Sequence, residues 1–117
     1  RGAAVSALGQ LGPLAQAAIP ALSEGLRNPA SARRWSAARA LGRMGALSKP
    51  AVPGLVAALA DPNQHVRVYV AQALGRIGVE AADAVPALTA AARDPDEVVR
   101  REASLALKRI RGLPAAP

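Results

Sequence analysis

Arg1, Arg34, Arg67 and Arg100 stand in one register, 33 residues apart. The same step links Ala7, Ala40, Ala73 and Ala106, and again Leu8, Leu41, Leu74 and Leu107. Pro20, Pro53 and Pro86 keep it, as do Leu22, Leu55 and Leu88 and the turn pairs Asn28-Pro29, Asp61-Pro62 and Asp94-Pro95. A fixed period of this length confines the fold to a solenoid. Each unit is too short to enclose its own apolar face and buries it against its neighbours.

Within one unit, Val66, Val70, Ala73, Leu74 and Ile77 form a 3.6-period stripe about three turns long. Asp61 is placed to cap this helix, with Pro62 at its first position, where a missing N–H costs nothing. Gln64 and Glu97, three residues after Asp61 and Asp94, have the spacing of a capping box. Gly12, Gly45 and Gly78 fall where a left-handed residue would end the helix. A shorter second helix follows, capped by Asp83, with Pro86 at its third position and Val85, Leu88 and Ala92 on its buried face. The spacing predicts long helices over 1–11, 29–44, 62–77 and 95–111, and short ones over 18–27, 51–60 and 84–93. The fold expected is all-α: a right-handed α-solenoid of antiparallel helix pairs, with no strand.

Composition agrees. Thirty alanines and a single Trp and Tyr leave little bulk for a core around one centre, but suit short helices that approach closely. The chain has room for one domain, 1–117. It opens on Arg1, inside a repeat and without an initiator Met, as a segment of a longer protein would. No cysteine means no disulfide or thiolate metal site, which is compatible with a reducing compartment. No apolar run reaches the ~18 residues of a membrane span. The net charge of +7 favours acidic partners, either acidic protein surfaces or nucleic acid.

The short helix with Pro-x-Leu, the Asn/Asp-Pro turn, and Val66-Arg67 running through Ala71, Ala73, Leu74 and Ile77 to Gly78 resemble the HEAT repeat, in its bacterial phycobilisome-lyase-like form. Ala37–Gly45 and Val99–Ile110 match as well, so the resemblance covers about three and a half repeats of the chain. It implies an interaction scaffold without naming a partner. It also pairs each turn Asp with an Arg six residues on, here Asp61/Arg67 and Asp94/Arg100, as an internal ladder. Arg67 should then reach Asp61 or its equivalent in an adjacent repeat. Asn28/Arg34 lacks the charge and should form a weaker rung.

Opposite the apolar stripe lie the second, sixth, ninth and tenth positions of each repeat. The resemblance turns this side of the long helices toward a concave groove. It would hold Trp35, Arg39, Arg43, Gln72, Arg76, Arg101 and Arg109, with Tyr69 at its margin. A Trp among arginines is a residue mix enriched at binding hot spots. Gly9, Gly42 and Gly75 fall on this side too, mid-helix, at a cost of roughly 1 kcal/mol each relative to Ala. Close approach of adjacent long helices would offset that cost. In the last long helix Lys108 and Arg111 replace glycines, and Arg100, Arg101 and Arg109 crowd it, as in a polar terminal cap. The tail from Gly112 to Pro117 reads as a non-helical exit.

The sequence offers no reaction centre. His65 is the single histidine, so the paired His-Glu motifs of iron-dependent HEAT hydroxylases are absent. Zinc sites and nucleophilic triads lack their residues, and no glycine cluster forms a phosphate loop. Asp94, Asp96 and Glu97 gather where a helix dipole stabilises them. Neither a cofactor nor a metal is expected. The reading is a non-catalytic scaffold presenting a basic concave groove to an acidic protein or peptide. The alternative is nucleic-acid binding, as in HEAT-like DNA glycosylases, although the aromatic-rich cleft and acidic residue of those enzymes are not evident. Phycobilin lyase subunits are a further relative, but no chromophore ligand stands out.

Overall fold

The computed structural model describes residue 14 and residues 16–112. The expected first helix, with Arg1, Gly2, Ser6, Gly9, Gln10 and Gly12, lies outside them, as does the tail beyond Gly112. The described chain begins with helix α1 (16–25) and continues through α2 (Ser31–Arg43), α3 (Val52–Ala58), α4 (Gln64–Ile77), α5 (Val85–Ala91) and α6 (Glu97–Ile110). No strand occurs among the described residues. The 3₁₀ segments η1 (Gly45–Ala51) and η2 (Gly78–Ala84) fill what the sequence leaves as connections.

The caps sit two residues later than expected. Asn63 and Asp96 cap α4 and α6, the first accepting from the His65 and Val66 amides and the second from those of Val98 and Val99. The Asp61 and Asp94 carboxylates instead close the preceding turn, accepting the Asn63 and Asp96 amides at 2.8 Å. This puts Pro62 and Pro95 in the turn rather than in the helix. Gln64 and Glu97 become first helical residues, so the capping box does not form. Asp83 does not cap α5 either: it lies inside η2, and the cap residue Ala84 has no side-chain hydrogen bond. Gly78 ends α4 with φ +76°, a conformation that strains any residue with a Cβ.

The long helices α2, α4 and α6 pack side by side, while α3 and α5 back onto α4 and α6. Leu41, Leu55, Leu74 and Leu88 are fully buried between these layers, and Ile77 nearly so. Burial of one such side chain contributes about 1.5–3 kcal/mol, and their repetition in each unit holds the stack together. Val85 and Ala92 are only half-buried, and Ala84 and Ala91 take the inner positions of the short layer.

Gly42 and Gly75 lie in the seam between long helices and not on the outer side. A Cβ on Gly42 would stand 3.0 Å from the Ala73 Cα, and one on Gly75 would stand 2.9 Å from the Ala106 Cα. The expected cause, close approach of neighbouring helices, is thus present, but it acts on a buried face. Ala38 and Ala71 are fully buried in the same seam. The polar side chain buried among these residues, Ser48, donates to the Leu41 carbonyl at 2.7 Å.

Candidate functional site

The recurring arginines divide into two sets, one held internally and one exposed. Arg34 and Arg67 belong to the first. The Nη1 of Arg67 donates to the carbonyls of Asp61 and Pro62 in its own turn. Its Nε and Nη2 donate to the two carboxylate oxygens of Asp94, at 2.9 and 3.2 Å. Arg34 repeats the arrangement with the carbonyls of Asn28 and Pro29 and the carboxylate of Asp61. An arginine therefore meets the carboxylate 27 residues ahead, in the next repeat, and only the backbone of the turn six residues behind.

This changes which rung is weakened by Asn28. Arg34 has a full carboxylate partner in Asp61, with the pair's side chains 15 and 8 % exposed. The position 27 residues before Asn28 is Arg1, which lies outside the described residues. Burial pushes the Asp94 carboxyl up, but the Asp96 amide, the Arg67 fork and the charges of Arg67 and Arg100 outweigh it. The net result is a carboxyl held below its ordinary value, ionised and fixed as part of the frame.

The second set is exposed. Arg39 and Arg43 stand one turn apart on α2, Arg76 on α4, and Arg101 and Arg109 on α6. Ion pairs among the described residues engage Arg27, Arg34, Lys49 and Arg67 instead. Gln72 is half-buried on α4. Trp35 and Tyr69 meet directly, their rings stacked with centroids 5.0 Å apart and planes 21° apart. Both are half-buried against the core, so Trp35 bridges α2 to α4 as well as facing outward. Helix α2 carries no acid among its four arginines, whereas Glu80 and Asp83 lie in η2 beneath the short layer. Helix α6, in contrast, carries Glu97 and Glu102 beside its arginines.

Of this set, Arg101 alone lines one of the three recessed surfaces described next. One of about 410 Å³ opens between Ser23, Arg27, Pro50 and Asp61, and one of about 640 Å³ between Lys49, Pro53, Glu80 and Asp83. A third, about 560 Å³, runs along α6 past Arg100, Arg101 and Lys108. None of these three is lined by Arg39, Arg43, Arg76 or Arg109. Among the described residues no group of His, Cys, Asp and Glu could hold a metal ion, and no helix is long and apolar enough to cross a membrane.

No curated protein matches the chain. Family models do. The model for HEAT repeats matches residues 52–117, and that for the PBS lyase HEAT-like repeat matches 1–28 and 33–61. With more than half its length matched, and with long and short helices stacked in 33-residue steps, this chain belongs to the HEAT repeat family.

Proposed function

We propose that the chain is a non-catalytic scaffold whose long-helix surface binds an acidic, extended protein segment. The surface comprises Trp35, Arg39, Arg43, Tyr69, Gln72, Arg76, Arg101 and Arg109. HEAT repeats generally act as protein-interaction scaffolds. In this reading residues 1–117 form one array of about three and a half repeats within a longer protein.

The observation that carries the proposal is the contrast between the two arginine sets. Arg34 and Arg67 recur because the frame uses them. Arg43, Arg76 and Arg109 recur in the same 33-residue step while exposed and outside every ion pair described. Each stands in the last turn of its long helix, where a cation contributes roughly 0.3–1 kcal/mol against the helix dipole. A lysine would serve that purpose as well, and the repeated choice of arginine supports recognition. Helices packed roughly 10 Å apart would spread these three over roughly 20 Å, a length suited to an extended segment. The Trp35–Tyr69 stack adds a rigid amphipathic anchor beside them.

The test is binding of acidic peptides to the parent chain and to an Arg43/Arg76/Arg109→Gln triple variant. Binding should fall at least tenfold while the helical circular dichroism is retained, the thermal midpoint dropping only by the few degrees that three helix-end cations account for. Unchanged binding would sink the groove. A steep logarithmic salt dependence with duplex DNA, absent with peptide, would favour nucleic acid instead.

A further inference from the structure

The short-helix layer holds one kind of cleft twice, in the same 33-residue step. The first, about 400 Å³, opens between Gln16, Ile19 and Pro20 of one repeat and Leu47, Lys49 and Pro50 of the next. The second, about 640 Å³, opens between Lys49, Val52 and Pro53 and, in the following repeat, Glu80 and Asp83. Each is walled by two repeats within the chain, and Lys49 and Pro50 form the ridge that both share. The clefts differ in their far walls. Where the first has Leu47 and Pro50, the second has Glu80 and Asp83 at the equivalent positions.

This acidic pair stands apart in a chain of net charge +7 with only eight acids. Asp61, Asp94 and Asp96 are used by the turns, the ladder and a cap. Glu80 and Asp83 serve none of these. Asp83 is exposed and joins no ion pair among the described residues. Glu80 meets the Lys49 Nζ at 3.2 Å, but the two side chains are 43 and 66 % exposed, and so open a pair contributes little to stability. What the pair does show is that a cation seats in the second cleft, since Lys49 reaches Glu80 from the facing repeat.

We infer that the two clefts form a second docking surface, for an extended protein segment that carries an apolar side chain and, three residues away, an arginine or lysine. The apolar side chain enters the first cleft, against Ile19, Pro20 and the exposed Leu47. The basic one enters the second and takes the place of Lys49. Its head lies between Glu80 and Asp83, and its aliphatic stem runs along Val52 and Pro53. The repeat sets the spacing. Neighbouring helices pack roughly 10 Å apart, and a polyproline-type segment returns to the same face every third residue, about 9 Å further on. Such a segment brings its own rigidity, so little ordering is required when it binds.

This surface is distinct from the groove of Arg43, Arg76 and Arg109, which takes acidic segments, and either can fail without the other. A peptide carrying Leu-Pro-Pro-Arg and a neutral dye is titrated into the chain at about 0.15 M salt, where charges beyond about 8 Å are screened, with anisotropy as readout. Leu-Pro-Pro-Glu should bind at least about tenfold more weakly, and Leu-Pro-Arg, one residue short, about fivefold more weakly. Glu80→Gln/Asp83→Asn should weaken Leu-Pro-Pro-Arg about tenfold, and Leu47→Ser about threefold. Lys49→Ala should tighten it about twofold, because the cation that competes for Glu80 is gone. A pair kept for stability alone would give no such gain. The Arg43/Arg76/Arg109→Gln variant should not weaken it. Should the double acid variant lose its helical circular dichroism, Lys49→Ala still reads the site. Equal binding of the arginine and glutamate peptides, indifference to the acid substitutions, no gain from Lys49→Ala, or weaker binding by the triple variant would each overturn the inference.

Discussion

Helices α4 and α6 are built on one template and face different surroundings. Helix α4 is covered on both sides, and its buried residues wrap most of its girth: Val66, Val70, Ala71, Ala73, Leu74, Gly75 and Ile77. Helix α6 keeps the stripe toward α4, with Val99, Ala103, Ala106, Leu107 and Ile110, and surrenders the other side. Two substitutions at equivalent positions accompany the difference. Ala71 becomes Ser104, and Gly75 becomes Lys108. Val70 of the stripe also becomes Ala103, and Asn63 of the turn becomes Asp96, while the anchored arginine is kept. The face of Ser104 and Lys108 meets no further helix among the described residues. In a solenoid the apolar stripe and the stacking seam are separable, because they lie on different sides of the same helix.

The comparison breaks most severely at the centre of the stripe. Leu74→Ala should cost about 2–5 kcal/mol and lower the denaturation midpoint of the whole array, since each repeat leans on its neighbours. Leu107→Ala, at the more exposed α6, should cost less. Equal losses in chemical denaturation would mean that the two helices are equally enclosed. The ladder supplies the next largest contrast. Arg67→Ala removes the guanidinium from a pair whose side chains are 16 and 10 % exposed, leaving the Asp94 carboxylate unpaired, and should cost about 3 kcal/mol. Arg100→Ala removes hydrogen bonds to the turn and a weaker attraction to the Asp94 carboxylate, and should cost about 1 kcal/mol. If both cost the same, the carboxylate contributes nothing and the turn carbonyls explain the recurrence.

Smaller effects sharpen the account of the seam. Gly75→Ala gains about 1 kcal/mol of helix propensity, yet it places a methyl 2.9 Å from the Ala106 Cα. Separation of α4 from α6 should outweigh the gain and leave a net loss of about 1 kcal/mol. Lys108→Ala at the same register has no neighbouring helix to displace among the described residues, and its thermal midpoint should be unchanged or slightly raised.

The smallest effect is on acid stability. The Asp94 carboxyl lies below its ordinary value of 3.8 in the folded chain. Its contribution to stability is therefore complete above that value and is lost as pH falls through the lower folded one. Asp94→Asn should flatten that portion of the stability curve below about pH 4. A mutant curve parallel to the parent's would show that Asp94 is not linked to folding.

The sequence by itself determined the period, the order of long and short helices, the leucine stripe and the recurrence of arginine after an Asx-Pro turn. Each of these depends on residue type and local spacing. Membership in the HEAT family was legible for the same reason, in Val66-Arg67 through Gly78. Only the tertiary structure decided which carboxylate Arg67 meets. In a chain of period 33, a turn six residues behind and one 27 residues ahead share one register, so spacing alone cannot choose between them. Packing chose Asp94, which the stacked neighbour brings within reach of the fork. The caps moved from Asp61 and Asp94 to Asn63 and Asp96 because the aspartates were already committed to their turns and to the ladder. Gly42 and Gly75 went to the seam because the angular position of a helix face is set by which neighbours cover it. The exposed arginines were legible as exposed, since they fall off the stripe.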